Sequence, residues 1–167
     1  LQWVRERNTD SQKVLAGDAR FAPLQQRILS ILDSNERIPY VAKHGDHYYN
    51  LWQDAKNPRG LWRRTTLAEY QKEQPKWDVV LDLDALGKQE NENWVWKGAS
   101  WLLPERQRVL LSLSRGGADA VVVREFDMTT RTFVTDGFVL PEAKSNVGWK
   151  DKDTIYVGTD FGDGSMT

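Results

Sequence analysis

The sequence contains no cysteine, which excludes a disulfide framework and any thiolate metal centre. That absence suits reducing and oxidising surroundings alike, so cytoplasm and periplasm both fit. No run approaches the roughly 20 consecutive apolar residues of a membrane-spanning helix, so no membrane partner is expected. Charge of either sign is barely in excess: 23 Lys and Arg against 24 Asp and Glu leave a formal net charge of −1. Nucleic-acid affinity usually rests on a basic surface, so no nucleic-acid partner is expected either. Histidine is scarce. His44 and His47 are the two present, sharing one turn with Asp46; a third strong ligand cluster is missing, and both read as solvated turn residues rather than metal ligands.

Catalytic signatures are missing as well. An α/β-hydrolase nucleophile sits in Gly-x-Ser-x-Gly between a strand and a helix. Ser112-Leu113-Ser114-Arg115-Gly116 has no glycine ahead of the serine, and Gly164-Ser165 has none behind it. No catalytic residue and no cofactor is therefore expected. Asp160-Phe161-Gly162-Asp163-Gly164 looks like part of a calcium loop but lacks the ligand spacing and closing Glu of an EF-hand. Asp82 and Asp84 read as two carboxylates on one strand face. Arg63-Arg64 and the pair Arg106 and Arg108 have Glu69, Glu73 and Glu105 nearby in the chain, and read as a solvated, mixed-charge surface.

What is abundant is tryptophan: 8 in 167 residues, within 40% hydrophobic and 28% charged residues. Such a balance belongs to a folded domain rather than a disordered chain. Aromatic residues favour half-buried pleated surfaces, so these rings read mainly as packing in an all-β core. A carbohydrate-stacking platform is the sharper alternative.

Residues 1–33 carry helical periodicity. Trp3, Val4, Val14 and Leu15 form a sparse apolar face, Gly17-Asp18 breaks the pattern and can cap the next helix, and Leu24, Ile28, Leu29, Ile31 and Leu32 recur at helical spacing. Pro23 suits the first turn of that second helix. After Asn35 the period shortens. Strands are expected at 38–43, 48–53, 61–66, 77–82, 94–101, 108–113, 120–126, 132–134, 145–149 and 154–158, with 84–89 as a short helix or loop. The turns between them, such as His44-Gly45-Asp46-His47 and Gly116-Gly117, are tight. Tight turns imply antiparallel meanders, because parallel pairs need crossovers of a dozen or more residues. Residues 38–82 and 94–134 read as two divergent repeats of one such meander.

Several blocks, in collinear order, resemble the prolyl oligopeptidase family of serine peptidases. Leu1-Gln2-Trp3-Val4-Arg5-Glu6-Arg7-Asn8 is similar to the helix ahead of that family's propeller. His47-Tyr48-Tyr49-Asn50-Leu51-Trp52 and Leu61-Trp62-Arg63-Arg64 resemble its first strands, and Trp77 to Leu86 its strand followed by an Asp-rich element. Leu111 to Asp119 is similar to its Ser-x-Gly-Ser-Asp turn, and Ser145 to Asp151 to the opening of a further blade.

The resemblance implies a mostly β fold: N-terminal helices followed by antiparallel meander blades of an incomplete β-propeller. Residues 1–36 would form the helical segment, and 37–167 the first two blades and the start of a third. Leu1 and the end at Thr167 then read as the ends of an excised segment. It also implies a non-catalytic part that gates short peptides toward a C-terminal hydrolase domain outside this chain. In the family an aromatic before the second-blade Trp strand lines the proline pocket. The matching place is Pro141-Glu142-Ala143-Lys144, which makes Glu142 and Lys144 candidate substrate-binding residues on a charged cavity wall. The last strand would be left with an open edge, so self-association through sheet edges is expected. The alternative is an independent Trp-rich β module that binds carbohydrate or peptide.

Overall fold

The structure is a computed structural model, and it describes residues 1–160. The chain divides into two compact units, Leu1–Ile38 and Pro39–Thr167. The first holds helices α1 (Gln2–Leu15) and α2 (Phe21–Leu32), neither of which contains a buried residue. Between them Asp18 accepts hydrogen bonds from the Arg20 backbone N–H and guanidinium. Its carboxyl is held down to about 2, chiefly by the Arg20 side chain. Pro23 falls in the first turn of α2, where its missing N–H costs no helical bond.

Among the described residues, the second unit is built from three antiparallel sheets. The first has the order β1 (Ala42–His44), β2 (His47–Trp52), β3 (Leu61–Thr66), β4 (Asp78–Asp82). The second runs β5 (Trp94–Trp101), β6 (Arg108–Arg115), β7 (Val121–Asp127), β8 (Thr132–Phe133), with β9 (Val139–Ala143) also paired to β7. The third is the hairpin β10 (Asn146–Asp151) and β11 (Thr154–Gly158). The meanders follow from the turns: His44 pairs with His47 across Gly45-Asp46, where Gly45 takes φ 62°. At Gly60, φ is 108° and a Cβ would lie 3.0 Å from the Trp52 carbonyl oxygen, so a side chain is excluded on both counts.

Period-two alternation explains the layering. On β6, Val109 and Leu111 face Tyr49, Trp62 and Val80 of the first sheet, together with Phe126 and Met128. Leu110, of opposite parity, packs with Val121 and Val123 against Val147, Trp149 and Ile155 of the hairpin. The second sheet is thus covered on both faces, which is why β6 reads as a nearly continuous apolar run. Trp149 Nε1 donates to the Ser100 carbonyl, 3.0 Å away, and ties the hairpin to β5.

Two short helices, α3 (Leu67–Tyr70) and α4 (Leu83–Glu90), interrupt the strands. Thr66 caps α3 by accepting from Glu69 N–H, in a Thr-x-x-Glu sequence that could have announced it. Asp82 caps α4 by accepting from Ala85 N–H at 2.8 Å. Asp84 lies in the first turn of α4 and accepts from the backbone N–H groups of Arg59 and Gly60. The two carboxylates therefore do not share a strand face: one ends a strand, and the other staples a turn.

Other expectations also change. His44 is not a solvated turn residue; its ring stacks on Trp101 with centroids 4.4 Å apart and planes 20° apart. Arg63 is not a solvated charge either. Its guanidinium lies 4.3 Å from the Trp52 ring centroid and 4.2 Å from that of Trp77, while its Nε donates to Asn50. The strand β9 is absent from the sequence expectation because Pro141 lies inside it, and proline argues against a ladder position. Of the calcium-like loop, residues 161–164 lie outside the described residues. Gly164-Ser165 lies outside them as well.

Candidate functional site

The two residues singled out by resemblance lie at one end of the second sheet. Glu142 is on β9, held in place by the pairing of Val121 with Ala143, and Lys144 comes directly after the strand. Glu142 accepts from Arg115 at 2.9 Å, while Arg115 also donates to Glu92 at 2.8 Å. Lys144 pairs with Asp119 at 3.5 Å. The structure gives the two residues separate partners rather than bringing them together.

The arginine between the two glutamates is seated on an aromatic base. Arg115 stands 5.0 Å from the centroid of Trp94, whose Nε1 donates to Glu90 at 2.8 Å. Glu90 in turn receives Arg124, whose guanidinium covers the Phe133 ring at 3.5 Å. Partial desolvation works against the charge on Arg115, but Glu142 and Glu92 outweigh it and raise its pKa. The result is a strip of paired charges, Arg124 with Glu90 and Arg115 with Glu92 and Glu142, its two arginines seated on rings that restrict their motion. Sequence reasoning missed Arg115 and Glu92 because 23 and 27 positions separate Arg115 from its two glutamate partners.

Cavities also lie elsewhere in this unit, two of them away from the strip. One, about 860 Å³, is bounded by the segments 102–108, 134–138 and 150–153. At its floor Glu125 accepts from Arg108 and from Phe138 N–H, and Arg108 also pairs with Asp127. The other, about 420 Å³, is lined by aromatic rings of the first two sheets.

None of these places assembles a nucleophile. Ser114 lies wholly buried on β6 with no hydrogen-bond partner for its hydroxyl, and among the described residues no hydrogen bond joins a serine to a histidine. A Ser-His pair is the minimum for acyl transfer of that type. Among the described residues, no group of three or more His, Asp or Glu is placed to hold a metal ion. No helix among them is long and apolar enough to cross a membrane.

Antiparallel meanders packed face to face, following a helical segment in the chain, are the arrangement of propeller blades. Comparison with known proteins agrees. The family model described as prolyl oligopeptidase, N-terminal beta-propeller domain, matches residues 1–164, and the chain belongs to that family. An uncharacterized peptidase of Sinorhizobium fredii is 43% identical over 169 residues, covering 100% of this chain and 23% of the relative. An uncharacterized peptidase of Rickettsia prowazekii is 34% identical, covering 93% of this chain and 23% of its own length. Among solved structures, a post-proline cleaving enzyme from Rickettsia typhi is 34% identical with a TM-score of 0.84, covering 92% of this chain and 23% of that one. The chain spans about a quarter of the length of the relatives it matches. The sheets are therefore blades, and the module reading is not favoured.

Proposed function

We propose that this chain is the gating, non-catalytic N-terminal part of a prolyl oligopeptidase-like serine peptidase whose hydrolase domain lies outside it. The observation that carries the reading is the stacking of successive meanders, the second blade covered on both faces, with no nucleophile–base pair among the described residues. Residues 1–36 are the helical segment, and 37–167 hold two blades and the start of a third. Short peptides, including proline-containing ones, are the substrates of the longer protein, in keeping with the named activity of the Rickettsia typhi relative.

Glu142 and Lys144 contribute a charged wall to the substrate cavity. Both are exposed, and each is already paired, so together they present a mixed rather than a single-sign surface. A partner for the hydrolase role is supported by α2, whose Phe21, Leu24, Ile28, Leu29 and Leu32 are all more than 40% exposed. Self-association of the chain by itself is supported by β11, which pairs with β10 and with no other strand among the described residues.

The test is hydrolysis of short proline-containing peptides by the full-length protein, with residues 1–167 alone as control. Activity in the first and none in the second is the expected result. Activity in residues 1–167 alone, or none in either, would sink the proposal. For the open edge, sedimentation of residues 1–167 at high concentration should show dimers or larger species, and a clean monomer would refute that part.

A further inference from the structure

The smaller cavity combines three features that point to one kind of ligand. Its walls are rings: Tyr40, His44, Tyr49, Trp62, Trp96 and Trp101. They brace one another, with Tyr49 edge-on to Trp101 at 4.9 Å and Trp62 tilted against Trp96 at 4.9 Å. No Asp or Glu among the described residues lines it. Tyr40 at its mouth is 92% exposed, although its backbone carbonyl is held by Asn50 Nδ2 at 3.0 Å.

The second feature is a pair of free backbone edges. β1 and β5 are the terminal strands of their sheets, and each pairs on one side only among the described residues. The stacking of His44 on Trp101 brings these two edges together beside the cavity. Unpaired strand edges are templates for an extended peptide.

The third is an unneutralised cation. Arg106 is exposed and forms no ion pair with a carboxylate among the described residues; its guanidinium donates to the Pro104 carbonyl at 3.0 Å. Its stem lies over the hairpin next to His44, since a Cβ on Gly45 would come 3.7 Å from Arg106 Cδ. Its charge acts on His44, lowering the imidazole pKa after the larger effect of partial burial. The cavity is thus apolar inside, and Arg106, outside its lining, sets a cation beside the turn that carries His44, which suits an apolar group that carries an anion.

We infer that this cavity binds the free C-terminal end of a short peptide: its last side chain, apolar and ring-sized, enters among the aromatic rings, and its carboxylate meets Arg106. The peptide backbone runs along the edges of β1 and β5. This site is independent of the hydrolase reading, because nothing in it requires bond cleavage.

The probes are the tripeptide Gly-Gly-Phe as free acid and as C-terminal amide, titrated into the full-length protein by calorimetry and tryptophan fluorescence. The acid should bind about tenfold more tightly than the amide, the usual scale of one charge-assisted hydrogen bond. Arg106→Asn should erase that difference while leaving the fold intact, since residue 106 is exposed and its φ of 56° is one that asparagine tolerates. Ala99→Trp, which fills the cavity from its wall, should weaken binding of both probes at least tenfold and so locate it. Equal affinity for acid and amide, or a preference that survives Arg106→Asn, overturns the inference. So does the absence of saturable binding by the unmodified protein.

Discussion

The two units bury apolar residues to very different extents. In the helical unit Leu24, Ile28, Leu29 and Leu32 recur at the spacing of one helix face, yet each is 47% exposed or more. In the β unit Val109, Leu110, Leu111 and Leu113 lie close together on a single strand, and all are fully buried. The difference is one of partners. A strand between two sheets finds an apolar surface on either side, whereas one helix face needs a second element to cover it. Stability should therefore be concentrated in the β unit, and the apolar face of α2 should matter for docking rather than for folding.

Substitutions can break that contrast, and the largest effect is expected inside the second blade. Leu111→Ala should cost about 2–5 kcal/mol, because a wholly buried side chain between β-layers leaves a cavity. The measurement is the denaturation midpoint followed by tryptophan fluorescence, and a loss below about 1 kcal/mol would contradict the layering. Next comes Arg63→Ala, which removes the cation between Trp52 and Trp77 and should cost about 1–2 kcal/mol by the same measurement. Arg63→Lys should recover part of it, since an ammonium lacks the planar face that stacks on two rings.

A smaller effect is expected where the first two blades are clamped. Arg131, on the turn between β7 and β8, donates to Asp78 and to the Val79 carbonyl on β4, and Arg64 shares Asp78. The Arg131 bond is the main cause that holds the Asp78 pKa below 3.8, against partial desolvation, with Arg64 helping. A depressed carboxyl stabilises the fold above its unfolded pKa and loses that contribution as pH falls through the folded value. Arg131→Ala should cost about 1 kcal/mol at neutral pH, as both side chains are partly exposed. It should also move acid unfolding to higher pH, and an unchanged acid midpoint would exclude the clamp. The smallest effect belongs to α2: Ile28→Ser should change the stability of residues 1–167 by no more than about 0.5 kcal/mol. A larger loss would show that the face is buried after all, by self-association or otherwise.

Much of the fold was legible along the chain. β3 and β5 begin and end where alternation and turn residues place them, and α1 and α2 match their helical spacing. Local signals suffice there, because a turn and a two-residue period are both properties of a few neighbouring residues. β9 was hidden by Pro141, and α3 was announced only by a capping pattern four residues long. Of the charged strip, resemblance singled out Glu142, for a substrate-binding role, whereas Arg115, Glu90 and Glu92 carried no signal in the sequence.

What the sequence by itself determined is the class of the chain: mostly β, meander-built, free of thiol chemistry and of a serine elbow, and similar in block order to one peptidase family. Tertiary structure alone decided the roles of individual polar and aromatic residues. It turned Arg63 from a surface charge into the filling between two indoles, and His44 from a turn residue into a stacked ring. It set Asp78 opposite an arginine 53 positions away. Secondary structure is written in neighbours a few residues apart, whereas an ion pair or ring stack depends on which strands the sheet order brings face to face.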